Sequence, residues 1–544
     1  MNTKYIVVLG SLMSGIGKGI VTSSIAKILS FYDYKVMPLK FDGYLNYDCG
    51  TMNPFRHGEV FVLNDGGEVD MDFGNYERFL NKESSSKFSM TGGKIFSDII
   101  KQEREGKFLG YDVQFIPHIT NYIIKKIKNI AKEEQLDIML IEIGGTVGDI
   151  ENNYFIEAMR QLSLSEQVIF INITYITELK KVGEQKTKPA QLALRNLMEL
   201  GITPNYIICR SESKINESIK QKISFFSNIK EEAIIDDHDN DNIYEVPLIF
   251  MRQNFDKMLL QDLHLTNQLN QSSYNKWKYI IESKSKALDK IKVAVVGKYI
   301  KLHDSYASIK EALVHAAYKE HINLDIGWIE SEDLEKDKDK NKGMSNILGD
   351  YDAILVPGGF GKRGIEGMIN AIEYARVNKI PFIGICLGMQ LMAVEYARNI
   401  CKLENANSTE FDENTKYKII DLMEEQKKTT MKGATMRLGA WQAKLKKDTL
   451  AYNIYNLEIV SERHRHRYEF NNEYLEMLQR NGLIISGTTL DNVLVEFIEW
   501  KDSFGIGTQS HPELKSKLEN PSPFFTAFIK AAIKNKDNKQ KHKI

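Results

Sequence analysis

Apolar residues along this chain come in short unbroken runs separated by amphipathic or polar stretches. KYIVVLG (Lys4–Gly10) and IKVAVVGKY (Ile291–Tyr299) each open a series. Both are β-branched runs ending near glycine, the pattern of a parallel strand covered on its two faces. Further runs are IMLIEIGG (Ile138–Gly145), QVIFINITY (Gln167–Tyr175) and PNYIICR (Pro204–Arg210) in the first half, with YDAILVPGG (Tyr351–Gly359) and PFIGIC (Pro381–Cys386) in the second. Helical patterns such as GIVTSSIAKILSFY (Gly19–Tyr32) lie between them. This alternation predicts an α/β fold of two doubly wound parallel-sheet domains. The first domain is expected over 1–265 and the second over 291–535. The polar stretch between them (266–290) reads as a linker with one amphipathic helix, and the lysine-rich 536–544 as a disordered tail. Glu332–Asn346 reads as a charged, solvated loop.

Composition narrows the class. A chain of 544 residues with 42% apolar and 27% charged residues can bury two sizeable cores. A net charge of -1 gives no field for nucleic acid or an anionic membrane. No run approaches the ~18 apolar residues of a membrane span, and MNTKYIVVLG lacks a signal-peptide pattern. Four scattered cysteines (Cys49, Cys209, Cys386, Cys401) make no disulfide framework, so a cytoplasmic enzyme is expected.

Two motifs carry chemistry. GSLMSGIGKGI (Gly10–Ile20) follows a strand and precedes a helix, so its amides and the helix N-terminus can face an anion while Lys18 reaches outer phosphates. The strict phosphate-loop pattern fails twice, with Leu12 in place of the first glycine and Gly19 in place of the hydroxyl, and a ligand-free turn is the alternative. Mg²⁺ must then find ligands elsewhere: Asp70, Asp72 and the strand residue Glu142 are candidates. Glu142 paired with a buried lysine or arginine is the other reading. In the second half, GICLGMQ (Gly384–Gln390) is the cysteine form of a nucleophile elbow, whose following helix N-terminus favours the thiolate. TQSHPE (Thr508–Glu513) offers His511 as base, with Glu513 two residues on, facing the same way along an extended segment. An inert core cysteine, and a nucleic-acid patch at ERHRHRYE (Glu462–Glu469), are the competing readings.

The long string KFDGYLNYDCGTMNPFRHGEVFVLNDGGEVDMDFGNYERF (Lys40–Phe79), with IPHIT (Ile116–Thr120), EIGGTVGDIE (Glu142–Glu151) and KTKPAQ (Lys186–Gln191), resembles the CTP synthase family, and the likeness runs to about residue 530. The resemblance implies an amidoligase domain fused to a class I glutamine amidotransferase domain. It implies a ligase that phosphorylates UTP at O4 with ATP and displaces the phosphate with ammonia drawn from L-glutamine through an internal tunnel. By matching positions it assigns Ser14, Asp149, Ile150, Glu151, Lys186, Thr187, Lys188, Pro189, Ala190, Gln191 and Lys222 to UTP or CTP. It assigns Gly15, Ile16, Gly17, Lys18, Gly19, Ile20, Asp72, His238, Asp239 and Asn240 to ATP. Lys18 and Lys40 would act on the transferring phosphoryl group, and Asp72 and Glu142 would hold Mg²⁺. In the second half Cys386, His511 and Glu513 form the implied triad. Gly359, Leu387, Gly388, Met389, Gln390, Glu410 and Arg467 would bind glutamine, with VPGGFG (Val356–Gly361) lining the oxyanion hole. Pro54, Arg56, His57 and Val60 match the tunnel's synthase end, and Gly433–Ala440 a lid for the activator GTP. A homotetramer inhibited by CTP is implied, with no nucleic-acid or membrane partner. The chain departs from the family pattern at Ser11, Gly43, Glu105, Lys107 and Ser510, none of them a residue with a chemical role. Another ATP-dependent amidoligase, or a filament-forming or regulatory protein with a decayed site, are the competing functions. The former should lack KTKP, and intact Lys18, Cys386 and His511 oppose the latter.

Overall fold

A computed structural model describes residues 3–53, 57–179, 181, 183–285, 289–300, 303–335, 340–422 and 436–541. The chain divides into two compact units, 1–49 with 75–281 and 50–74 with 282–544.

The first unit is built on strands β1 (Lys4–Gly10), β2 (Val36–Asp42), β3 (Ser89–Thr91), β4 (Ile138–Ile143), β5 (Val168–Tyr175), β6 (Tyr206–Ser211) and β7 (Ile234–His238). They form one sheet in the order β7-β6-β5-β1-β4-β2-β3, and every pairing is parallel. β1 is buried from Tyr5 to Gly10, as its uninterrupted apolar run requires. Because all strands run the same way, their C-terminal ends share one edge, where ligands of open α/β sheets sit. Helix α1 (Lys18–Ser30) leaves that edge after β1, and α2 covers Asp72–Leu80.

The stretch expected to link the domains is instead a docked element. Helix α3 (Gln271–Ser285) plants Trp277, fully buried, among the rings of Phe31, Phe79 and Tyr244. Its indole Nε1 donates to the Tyr244 carbonyl at 3.0 Å, and Lys27 Nζ lies 4.4 Å from the ring centroid. The amphipathic helix expected in this stretch is present, and Tyr274, Trp277 and Ile281 recur at i, i+3 and i+7 on its packed face, with Tyr274 edge-on to Phe31.

The second unit carries β8 (Lys290–Gly297), β9 (Asn323–Glu330), β10 (Ala353–Val356), β11 (Phe382–Ile385), β12 (Arg437–Leu445), β13 (Ile459–His466), β14 (Ile484–Thr489), β15 (Val495–Glu499) and β16 (Gly505–Thr508). Their order is β9-β8-β10-β11-β16-β15-β14-β12-β13. The β9-β8-β10-β11-β16 portion is parallel, and the rest extends it antiparallel, so this sheet is mixed where a purely parallel one was expected. Helix α4 (Leu387–Asn399) follows β11, and α5 (Pro523–Lys541) closes the described chain.

Three boundaries differ from expectation. Residues 50–74 belong with the second unit: Arg463 Nε donates to Asn64 Oδ1 at 2.7 Å, and Arg465 Nε meets Glu68 Oε1 at 2.8 Å. These contacts are too distant in sequence for local patterning to reveal. The tail expected to be disordered from 536 is helical to Lys541, where Asn535 Nδ2 donates to the Asp352 carbonyl at 2.8 Å and Lys539 Nζ to that of Tyr351 at 2.7 Å. The charged insertion ends in a helix (Lys340–Leu348) whose Met344 and Leu348 are buried in the core. Among the described residues no helix is long and apolar enough to cross a membrane.

Candidate functional site

Cys386 sits on the turn between β11 and α4 with φ 51° and ψ -102°. A non-glycine residue held at positive φ is strained, and surrounding contacts must fix it. The two flanking glycines make the turn sterically possible. A β-carbon on Gly384 would come within 2.6 Å of the Gly388 backbone, and one on Gly388 within 2.1 Å of the Val356 carbonyl oxygen. The thiol is buried, and Gln509 Nε2 lies 3.7 Å from Sγ.

His511 and Cys386 flank the same backbone: a β-carbon placed on Gly358 would lie 2.9 Å from His511 Cε1 and 3.7 Å from Cys386 Cβ. His511 Nδ1 lies 2.7 Å from Glu513 Oε1. The route differs from the extended segment expected, since Pro512–Lys515 is a 3₁₀ turn that brings Glu513 back under the ring. Burial on its own pushes the imidazole down, but the nearby charges of Glu513 and Cys386, with the hydrogen bond to Glu513, outweigh it and raise His511 to about 10. Cys386, His511, Glu513, Gly358, Gly359, Arg465 and Val60 line one cavity of the second unit.

Of the residues assigned to glutamine, Gly359 lines this cavity. Leu387 Cδ2 is 3.4 Å from a β-carbon position on Gly359. Gly388 and Met389 lie buried in the first turn of α4. Gln390 is turned toward the protein, its Nε2 donating to the Tyr468 carbonyl at 3.0 Å and to Gln509 Oε1 at 3.2 Å. Glu410 Oε1 accepts from the Gly361 amide at 2.8 Å. Burial pushes the Glu410 carboxyl up, opposed by that amide, by Lys298 and by Arg467. Gln509 bridges Gln390 and the Cys386 sulfur, a role that TQSHPE alone does not reveal.

At the sheet edge of the first unit the glycine loop winds through left-handed backbone at Leu12 (φ 87°), Gly15 (φ 72°) and Gly17 (φ 92°). Leu12 thus adopts the conformation that the missing glycine would take freely. Ser14 and Gly15 are exposed, Ile16 and Gly19 are buried, and Ile20 is half-buried. Lys18 begins α1 and lies back across Gly10, its Nζ donating to the Gly145 carbonyl at 2.6 Å. Glu142 pairs in register with both Val8 and Lys40. Its Oε1 is 3.7 Å from Lys40 Nζ, and its Oε2 accepts from Tyr76 Oη at 2.5 Å. The buried partner weighed as the alternative for Glu142 is therefore present. Asp72 opens α2 within the segment 50–74 that groups with the second unit, its amide donating to Asp70 Oδ1 at 2.9 Å.

The remaining nucleotide candidates form two groups. Asp149 Oδ2 accepts from the Thr146 amide at 2.8 Å, with Ile150 and Glu151 exposed beside it. In KTKPAQ, Thr187 and Ala190 are buried, Lys188 is exposed, Pro189 is half-buried, and Gln191 Nε2 donates to Thr187 Oγ1 at 2.9 Å. Lys186 Nζ pairs with Glu184 at 2.6 Å, and Lys222 is close enough to help lower the Glu184 carboxyl. His238 ends β7, and Asp239 and Asn240 follow it, at the same edge as the glycine loop. Arg210, which the sequence reading missed, ties them to it: its Nη2 is 2.6 Å from Asp239 Oδ1, and its Nε lies 4.0 Å from a β-carbon position on Gly17. His238 Nδ1 is 2.6 Å from Asp236 Oδ2, and Asn240 Nδ2 donates to Glu245 Oε2 at 3.2 Å. Among the implied tunnel residues, His57 is exposed and Val60 buried, while Pro54 and Arg56 lie outside the described residues, as do 433–435 of the implied lid. The departures are accommodated: Ser11 Oγ donates to Asn172 Oδ1 and Ser510 Oγ lies against Thr508 Oγ1, both at 2.6 Å.

Comparison with known proteins covers nearly the whole chain. The family model for the CTP synthase N-terminus matches residues 4–265, and that for class-I glutamine amidotransferases matches 301–531. The CTP synthase of Pyrococcus furiosus is 47% identical over 542 residues, 99% of each chain. That of Thermococcus gammatolerans is 48% identical over 540 residues, 98% of this chain and 99% of the relative. A solved glutaminase domain of Trypanosoma brucei CTPS with bound acivicin is 36% identical, at a TM-score of 0.42, covering 45% of this chain and 94% of that one. With both family models matched and full-length relatives at this identity, the chain belongs to the CTP synthase family, ligases that couple an amidoligase domain to a glutamine amidotransferase domain.

Proposed function

We propose that the protein makes CTP from UTP, ATP and L-glutamine at two centres. At the first, the Cys386 sulfur attacks the glutamine carboxamide carbon, and His511, held by Glu513, gives its proton to the departing ammonia. A thioester remains, and water activated by His511 releases glutamate. Backbone amides around Gly359 and Leu387 stabilise the oxyanion, each donor worth about 3 kcal/mol. Glu410 takes the substrate's ammonium and Arg467 its carboxylate.

At the second centre, the ATP γ-phosphoryl passes to O4 of UTP and ADP leaves. Ammonia then adds at C4 and phosphate departs. Lys18 and Lys40 would neutralise charge on the moving phosphoryl group. The carboxylates of Asp72 and Glu142 are the hard oxygen donors that Mg²⁺ prefers, and it takes one or two of them beside phosphate oxygens. When bound, Mg²⁺ supplies charge neutralisation on those phosphates. Ser14, Asp149–Glu151, Lys186–Gln191 and Lys222 would hold the pyrimidine nucleotide, and the glycine loop with His238–Asn240 would hold ATP.

GTP is read as activator, CTP as inhibitor and a homotetramer as the working form. Exposed Leu109, Tyr111, Phe115, Ile116 and Ile150 on the first unit support self-association. Four free cysteines suit the reducing cytoplasm, where we place the protein.

The observation that carries this reading is that one chain holds both an elbow cysteine sharing a cavity with a His–Glu pair and a lysine-bearing glycine loop at a parallel sheet edge. The test is CTP absorbance with UTP, ATP, Mg²⁺ and either glutamine or ammonium. Product is expected from both nitrogen sources; none from either would end the reading.

A further inference from the structure

Lys298 follows β8 and is 1% exposed, yet the mechanism above leaves it unused. Its Nζ donates to the Phe360 carbonyl at 3.2 Å and to that of Gly361, and stands 5.5 Å from the centre of the Phe411 ring. Tyr299 Oη donates to the same Phe360 carbonyl at 3.2 Å. In a trans peptide the C=O and the following N–H point in opposite directions. Fixing the Phe360 carbonyl on Lys298 and Tyr299 therefore aims the Gly361 N–H the other way, where it donates to Glu410 Oε1 at 2.8 Å.

We propose that Lys298 is a positioning residue for glutamine recognition: it holds the Phe360–Gly361 peptide so that its N–H fixes the Glu410 carboxylate. This rests on the reading of Glu410 as the acceptor of the substrate's α-ammonium. Electrostatics support it. Burial pushes the Lys298 ammonium down to about 8, with Glu410 and Glu335 drawing it up and Arg363 pressing it down, so the cation persists at neutral pH. That cation in turn offsets the burial that would protonate Glu410. Its effect on substrate passes entirely through the peptide and the carboxylate.

The test compares glutamine with glutaramate, which is glutamine without the α-amino group, as substrates for ammonia release by the full chain. Wild type is expected to prefer glutamine. Lys298→Met is expected to shrink that preference about ten- to a hundredfold, through the KM for glutamine, while glutaramate turnover stays within about threefold. Lys298→Arg, which keeps the charge, should restore part of it, and CTP formation from ammonium should not change. A parallel loss on both substrates would mean that the residue only supports the loop, and an unchanged preference would mean that it does nothing for Glu410; either overturns the proposal. If Lys298→Met does not fold, Tyr299→Phe removes the other donor to the same carbonyl. A preference reduced about two- to fivefold supports the proposal, and an intact one overturns it. Failure of the underlying reading looks different: wild type itself would show no preference for the α-amino group.

Discussion

The two candidate centres are charged in opposite styles. Around Cys386 the reactive groups already address one another: sulfur and imidazole flank one glycine, and the imidazole is bound to its carboxylate at 2.7 Å. At the glycine loop the same kinds of charge are turned inward. Lys18 donates to the Gly145 carbonyl at 2.6 Å, and Glu142 is shared between Lys40 and Tyr76. The chemistry explains the contrast. A thiol must be activated by the protein's own groups, so its partners have to be in place before substrate arrives. A nucleotide brings three phosphates, and a buried cation must be satisfied by the protein until that charge enters. The first centre is preassembled, and the second is completed by its ligand.

Separable centres make the largest prediction. Cys386→Ala is expected to cut glutamine-dependent CTP formation by at least about 10⁴-fold while ammonium-dependent formation persists. Loss of both activities would show that the two chemistries are not independent. Lys18→Met should remove about a thousandfold from CTP formation with either nitrogen source, because a cation facing developing phosphoryl charge is lost. Glutamine hydrolysis should survive in that variant. Turnover near wild type would mean that Lys18 stays on the Gly145 carbonyl throughout, and the ligand-completed centre would lose its main argument.

The same contrast governs what was legible in the sequence. Buried parallel strands announce themselves through runs such as IVVLG and IMLIEI, and such runs mark β1, β4, β5, β6, β8, β10 and β11. The elbow was legible because its two glycines mark a tight turn; Gly384 answers to the Gly388 backbone at 2.6 Å, while Gly388 answers to the Val356 carbonyl on β10 at 2.1 Å, which only the fold reveals. The antiparallel β12–β15 were not, since strands such as RLGAWQAKL carry no continuous apolar run. Nor was the passage of 50–74 into the second unit, which rests on Arg463 and Arg465 reaching partners about four hundred positions away. Those arginines lie in ERHRHRYE, which sequence alone could confuse with a nucleic-acid patch. The helix α3 was legible from Tyr274, Trp277 and Ile281 at helical spacing, but its docking was not, since the rings of Phe31, Phe79 and Tyr244 that receive Trp277 are distant in sequence. Glu142 was recognised as a carboxylate needing a partner, but only the register of β4 on β2 shows that Lys40 is that partner.

The smallest expected effect probes how the preassembled centre is held. His511 is raised to about 10, burial pulling it down and Glu513 with Cys386 pulling it further up. A raised value means that the imidazolium's stabilising contribution is fully present below the ordinary imidazole range and disappears as pH climbs through about 10. Wild-type kcat at saturating glutamine should therefore hold on the alkaline side until His511 loses its proton near there and can no longer protonate departing ammonia. Glu513→Gln keeps the shape of the contact at 2.7 Å but removes the charge. His511 then falls, since burial and one fewer anion act in the same direction. The variant should lose about a hundredfold in kcat at neutral pH, and its alkaline limb should move to lower pH. Its thermal stability should also decline at lower pH than that of wild type. Unmoved limbs would mean that Glu513 only packs beneath the ring; a shift in both activity and stability would show that its charge sets the protonation of the triad, with no counterpart at the ligand-completed centre.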